Sequence, residues 1–255
     1  MEEKLLKSFL DEKADQYNAV HFIGTDPIQV PHQYSDPKDI EIAAFLTAIL
    51  AWGQKATIIS KAGELLSMMQ GGPCEFITEC SEEQLNRFLP FVHRTFNGLD
   101  CIYFLKALQQ IYLHHGGLQS IFERAYQYHG DLFGAIVEFR KIFFQFAEPG
   151  RTAKHLADPA KGSSAKRINM FLRWMIRTDN RGVDFGIWGG IPMDALYIPL
   201  DVHTGSVARK LGLLKRKQND WPAVKELTER LRQFDPADPV RYDYALFGLG
   251  SFERF

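Results

Sequence analysis

Two stretches of this 255-residue chain combine reactive residue types with the pattern of a helix start. The first runs Gly162-Ser163-Ser164-Ala165-Lys166-Arg167-Ile168-Asn169-Met170-Phe171-Leu172-Arg173-Trp174. A Gly/Ser turn opens a helix whose apolar positions are Ile168, Phe171, Leu172 and Met175. The turn and the first helical residues leave backbone N–H groups unpaired, and these can hold a phosphate. Lys166 falls in the first turn, where the helix dipole and Arg167 both disfavour positive charge on its amine. An amine freed of its proton is a nucleophile. The same residues also fit an exposed lysine beside a common turn.

The second stretch runs from Ile198 through Pro199, Leu200, Asp201, Val202 and His203 to Gly212. Val207, Ala208 and Leu211 form its apolar stripe. Asp201 stands where the helix begins, held by first-turn amides that favour its ionised form. It fits a plain N-cap, and it equally fits a carboxylate that supports an amine nucleophile or a developing cation.

Taken together, a glycine turn with a lysine and, about 35 residues on, an apolar-Asp-x-His segment ahead of a basic helix resemble the helix-hairpin-helix DNA glycosylase superfamily, the endonuclease III-like base-excision enzymes. Leu46 to Ala62 is similar to that family's early helix and the glutamine-bearing loop after it, and Asp235 to Gly250 to its closing helices. The strings around Lys166 and Asp201 look especially like archaeal 8-oxoguanine glycosylases, and like a bacterial family catalogued as a domain of unknown function in this superfamily. The resemblance covers roughly residues 40–60 and 155–250.

The resemblance implies an all-α fold of two lobes with a cleft between them. Residues 36–177 would form a helical bundle ending in the helix-hairpin-helix, and 1–35 with 183–255 the second lobe. It implies a base-excision glycosylase with AP-lyase activity on duplex DNA carrying a damaged base, an oxidised purine among the candidates. Lys166 would be the nucleophile and Asp201 its electrostatic partner. Gly162, Ser163 and Ser164 would form the phosphate-binding hairpin. Arg167, Arg173, Arg177, Arg209 and Lys210 would supply nonspecific phosphate contacts. Gln54 would fill the gap left by an extruded base, and Trp52 or Trp188 would stack on it. The alternative is a noncatalytic helix-hairpin-helix DNA-binding protein, which needs no lysine–carboxylate pair. The sequence departs from the usual hairpin in having Ser164 at the nearer glycine and Lys161 in place of a proline. No cysteine lies beyond Cys101, so the four-cysteine cluster of iron–sulfur members is missing and no cofactor is expected.

The elements that must position these residues are helical nearly throughout. Asp36-Pro37 reads as an N-cap and first-turn proline ahead of Ile40, Ala43, Ala44, Thr47 and Leu50. Ser81 to Gln84 reads as a capping box. Ile102 to Leu113 is apolar-periodic and ends at Gly116-Gly117, and 118–128 and 131–146 read as further helices. Asp220-Trp221-Pro222 and Asp238-Pro239 start the last two. No strand pattern stands out, and Gly182 to Leu200 reads as a long structured loop.

Composition sets the outer bounds. Hydrophobic residues are 45% and charged residues 24%, which excludes a disordered chain. The net charge is −1, but residues 150–217 carry 13 basic and 5 acidic residues, net +8, against −7 before and −2 after. That block fits a phosphate-binding face and also a solvated charged face. The longest apolar run, Ile42 to Trp52, falls short of the about 20 residues that span a bilayer. The N-terminal residues mix acids with bases, so no export signal is expected, and a monomer in the cytoplasm is. Cys74, Cys80, His93 and Cys101 lack the paired spacing of a zinc site.

Overall fold

A computed structural model describes residues 2–255. The chain is all-α, with twelve α-helices and one two-residue strand pair among the described residues. It divides into two compact units, Met1–Gly24 with Asp158–Phe255, and Thr25–Ala157. The first helix, α1 (Glu3–Tyr17), belongs to the former.

The unit of residues 25–157 holds α2 (Pro37–Leu50), α3 (Lys55–Ser67), α4 (Pro73–Glu79), α5 (Glu82–Asn86), α6 (Gly98–His114), α7 (Leu118–His129) and α8 (Leu132–Phe143). Asp36 caps α2 by accepting from Lys38 N at 2.8 Å and Asp39 N at 3.3 Å. From Ile40 to Leu50 every residue of α2 is buried, so it is the central element of this unit. Its Glu41 is buried too, and accepts from Tyr112 Oη, from Leu118 N at 2.9 Å and from Gln119 N at 3.2 Å. The carboxylate thus sits at the positive end of α7. The capping box expected at Ser81 and Gln84 is formed. Gly116 and Gly117 end α6 with φ of +80° and +97°, a conformation that suits residues lacking Cβ. The strand pair, β1 (Val92–His93) and β2 (Phe96–Asn97), is antiparallel. Two residues per strand are too few for an alternating pattern, which is why periodicity does not reveal it.

The other unit adds α9 (Lys166–Ile176), α10 (Val202–Lys210), α11 (Trp221–Arg232) and α12 (Tyr242–Ser251) to α1. α12 packs on both α1 and α10, and the stretch between α9 and α10 holds only a short 3-10 turn, Met193–Ala195. The boundary falls before the Gly162 turn and not after Arg177, as 36–177 had it. The physical reason is that α9 carries arginines whose ion-pair partners, Asp184, Asp238 and Asp243, all lie later in the chain. No helix among the described residues is long and apolar enough to cross a membrane.

Candidate functional site

The lysine is set by a tightly held turn. Asp158 accepts from Ala160 N at 3.0 Å, and Gly162 then takes a left-handed conformation (φ +87°). The Gly162 carbonyl accepts from Trp221 N at 3.1 Å, and Ser163 forms an antiparallel bridge to Asp220. Ser163 Oγ accepts from Ala165 N at 3.2 Å. Ala165 is itself left-handed, with φ +47° and ψ +36°, which costs an alanine about 1–2 kcal/mol. It is fully buried, and the neighbouring turn is fixed by Asn169, whose Nδ2 donates to the Ser164 carbonyl at 3.1 Å. Lys166 is the next residue and the first of α9.

The aspartate is set by an equally specific arrangement. Asp201 Oδ1 accepts from Thr204 N at 2.9 Å, the expected N-cap of α10. Its carbonyl accepts from Asn219 Nδ2 at 3.0 Å. Asn219 Oδ1 in turn accepts from Arg209 Nη2 at 2.6 Å, while Arg209 Nε donates to the Arg216 carbonyl at 2.7 Å. A Cβ at Gly205 would come within 2.6 Å of Asn219 Oδ1 and 2.9 Å of Arg209 Nη1, so a larger residue there would displace those side chains. Lys166 Nζ and Asp201 Oδ2 meet at 3.9 Å, each side chain a quarter exposed. That is an ion pair and too long for a hydrogen bond. Nζ also lies 3.5 Å from Met170 Sδ.

Several residues expected on a phosphate face lie elsewhere. Arg173 and Arg177 are 4% and 2% exposed. Arg173 Nε donates to Asp184 Oδ1 at 3.2 Å, its Nη1 to Asp243 Oδ2, and its guanidinium lies 4.4 Å from the Tyr244 ring centre. Arg177 pairs with Asp179 at 2.7 Å, Asp184 at 3.0 Å and Asp238 at 2.8 Å. Burial works against its charge, but Asp184 and Asp238 hold the Arg177 guanidinium more firmly protonated than usual. Both arginines are therefore part of a buried ion network and do not contact solvent phosphate. The reason is that α9 is buried on all sides from Ile168 to Ile176. Burial also pushes Arg167 down to about 10. Arg209 ties down the loop that carries Asn219, as above, whereas Lys210 is exposed. Trp188 is 2% exposed and packs edge-on against Phe171 at 5.4 Å, so it is core and cannot stack on a base.

Trp52 and Gln54 belong to the unit of residues 25–157. Gln54 is exposed ahead of α3. Trp52 is half-buried, its ring 4.7 Å from His93 and 5.9 Å from His155. Cys74, Cys80 and Cys101 are free thiols, each pushed up by burial. No group of three metal-ligating side chains occurs among the described residues.

Asp184, Asp243, Asn219 and Gly205 escape a reading of spacing alone. Lys166, Asn169, Arg173 and Arg177 share one polar strip of α9, so the sequence does not mark the arginines as buried; once the fold buries them, acidic partners are required.

Fold and site define an all-helical protein with a lysine and an aspartate paired at the starts of two helices. The chain belongs to the family described as "Protein of unknown function (DUF2400)", whose family model matches residues 26–252. No curated protein and no solved structure matches it.

Proposed function

We propose that the protein is a DNA glycosylase with an AP-lyase step, acting on a damaged base, with Lys166 as nucleophile and Asp201 as electrostatic partner. The observation that supports this most is the meeting of Lys166 Nζ and Asp201 Oδ2 at 3.9 Å, both partly exposed. An extruded nucleotide exposes its sugar C1′. The neutral Lys166 amine attacks C1′, a C–N bond forms, and the glycosidic C–N bond breaks as the base leaves with a proton. Asp201 faces the positive charge that develops on the sugar. The adduct opens to a Schiff base, a C2′ proton is lost, and the C3′–O bond breaks with release of phosphate. This amine chemistry requires no metal or organic cofactor.

In this reading the phosphate contacts pass from the buried arginines to Lys161, Lys210, Lys215 and Lys217, which are exposed. The protein acts as a monomer in the cytoplasm, and its partner is duplex DNA. A noncatalytic DNA binder would share those lysines but has no use for an aligned amine and carboxylate.

The test is borohydride trapping on duplexes carrying an abasic site or a damaged base. Lys166→Gln is expected to abolish base release and trapping while leaving DNA binding intact. Asp201→Asn keeps much of the cap and is expected to slow excision by about 10²-fold or more. Asp201→Ala is expected to cost in addition about 1 kcal/mol of stability. Trapping by Lys166→Gln equal to wild type would overturn the covalent mechanism. Duplex binding without any trapping by the wild type would favour the noncatalytic module.

A further inference from the structure

Lys166 and Asp201, at the starts of α9 and α10, are thirty-five residues apart in the chain. One short segment, Arg216 to Trp221 between α10 and α11, reaches both. Toward the lysine, Trp221 N donates to the Gly162 carbonyl at 3.1 Å, and Asp220 forms its bridge with Ser163. Toward the aspartate, Asn219 Nδ2 donates to the Asp201 carbonyl at 3.0 Å. That carbonyl also accepts from Gly205 N at 2.9 Å, so both of its lone pairs are engaged. Asn219 and Trp221 are two residues apart, so at most about 7 Å of chain links the two anchors.

The segment is itself held firmly. Arg209, on α10, donates to the Arg216 carbonyl at 2.7 Å, to the Gln218 carbonyl at 3.3 Å and to Asn219 Oδ1 at 2.6 Å. Arg216 forks onto Asp220, Nε to Oδ1 at 2.6 Å and Nη2 to Oδ2 at 2.5 Å. Asp220 Oδ1 also accepts from Ala223 N at 3.2 Å and so caps α11. The Asn219 amide is thus engaged at both ends, its oxygen by Arg209 and its nitrogen by Asp201. What this fixes is the place from which the Asp201 side chain starts. Oδ1 lies on Thr204 N, and Oδ2 meets Lys166 Nζ at 3.9 Å. No direct hydrogen bond holds the pair at that separation, so its spacing is set by the main chain on either side.

We infer that Asn219 is a positioning residue that, through the segment 216–221, sets the spacing of Lys166 and Asp201; its part in the reaction rests on the glycosylase reading. Its amide engages the Asp201 carbonyl and not the carboxylate, while Asp220 and Trp221 hold the turn ahead of Lys166. In the proposed reaction the amine and the carboxylate must face one sugar from fixed places. A displacement of about 1 Å in such an arrangement can cost about 10²-fold in rate.

Asn219→Asp isolates the donated bond. Its oxygen can still accept from Arg209, but no N–H remains for the Asp201 carbonyl. Asn219→Ala removes both interactions and serves as the second variant. A water-soluble carbodiimide joins a lysine to a carboxylate in contact with it, and peptide mass spectrometry then measures the Lys166–Asp201 amide without DNA. The Lys13–Glu253 pair, at 2.7 Å in the same unit, is the internal standard. At a single pH the Lys166–Asp201 yield, relative to that standard, should fall several-fold in both variants, with thermal unfolding of Asn219→Asp close to wild type. A role confined to anchoring the segment on Arg209 predicts a wild-type yield from Asn219→Asp, and that result would overturn the inference. So would the absence of the amide in wild type, whatever the enzymology. In borohydride trapping on an abasic duplex, the single-turnover rate of Asn219→Asp at saturating protein should fall by about 10-fold or more, with half-saturation unchanged. A lower yield with trapping at the wild-type rate would overturn the part in the reaction. A lower yield together with no trapping by wild type would sustain the positioning of Asp201 by Asn219 and refute the glycosylase reading.

Discussion

Replacing Arg173 by methionine separates a structural arginine from a phosphate-binding one. A surface phosphate contact predicts weaker DNA binding and unchanged stability. The observed geometry predicts the opposite emphasis. Arg173 is 4% exposed and bonds to Asp184 and Asp243, both buried. Removing one partner of a buried ion pair typically costs about 3–5 kcal/mol. The loss of the stack on Tyr244, at 4.4 Å, adds about 0.5–2 kcal/mol. One effect limits the total. Burial already pushes the Asp243 carboxyl up to about 6, and Arg173 is a group that lowers it. Without Arg173 the carboxyl rises further, and protonation relieves part of the cost of a bare buried charge. We therefore expect about 4 kcal/mol at neutral pH, a large part of a typical total of about 5–15 kcal/mol. The sign of the pH dependence follows. A carboxyl raised above its unfolded value favours folding in its protonated form, so its contribution declines as pH rises from about 4 to about 6 in wild type. In Arg173→Met that decline extends to higher pH, and the gap between the proteins widens from pH 5 to pH 8. Urea unfolding at a series of pH values measures it. A loss under about 0.5 kcal/mol, the range of ordinary surface substitutions, would refute the reasoning.

Changing Lys161, Lys210, Lys215 and Lys217 together to alanine should leave stability nearly unchanged and reduce the salt slope of DNA binding by about 3–4, from about 0.9 per phosphate; an unaltered slope in fluorescence anisotropy would remove these lysines from the interface. Glu41→Ala should lower stability by about 3 kcal/mol, because Leu118 N, Gln119 N and the Tyr112 hydroxyl all lose a buried acceptor. Thermal unfolding checks this, and a change close to zero would show that α7 does not depend on that carboxylate.

Much of the fold was legible where a local chemical rule decides the outcome. Asp36 with Pro37, Ser81 with Gln84, Asp220 with Pro222 and the Gly116-Gly117 pair each mark a helix end, and each does so in the structure. A cap depends on a few adjacent residues, so the sequence contains all the information required. The unit boundary depends instead on pairings across long separations, such as Arg173 with Asp243, seventy residues apart. No periodicity records those pairings.

The candidate site divides along the same line. Lys166 and Asp201 could be picked out because each occupies a first turn with a recognisable local signature, and the structure brings the two within 3.9 Å. The roles of the arginines could not be read in this way, because a charged residue is ambiguous until its surroundings are known. Net charge in a block counts Arg173 and Lys210 alike, yet the first is enclosed by carboxylates and the second is open to solvent. What resolves the ambiguity is the burial of the host helix, which only the fold shows. Charges buried with a helix require counter-charges nearby. Around α9 those counter-charges are Asp184, Asp238 and Asp243, which pair with Arg173 and Arg177. The charges that stabilise α9 form one buried network through Asp184, so a substitution within it should alter stability and its pH dependence together.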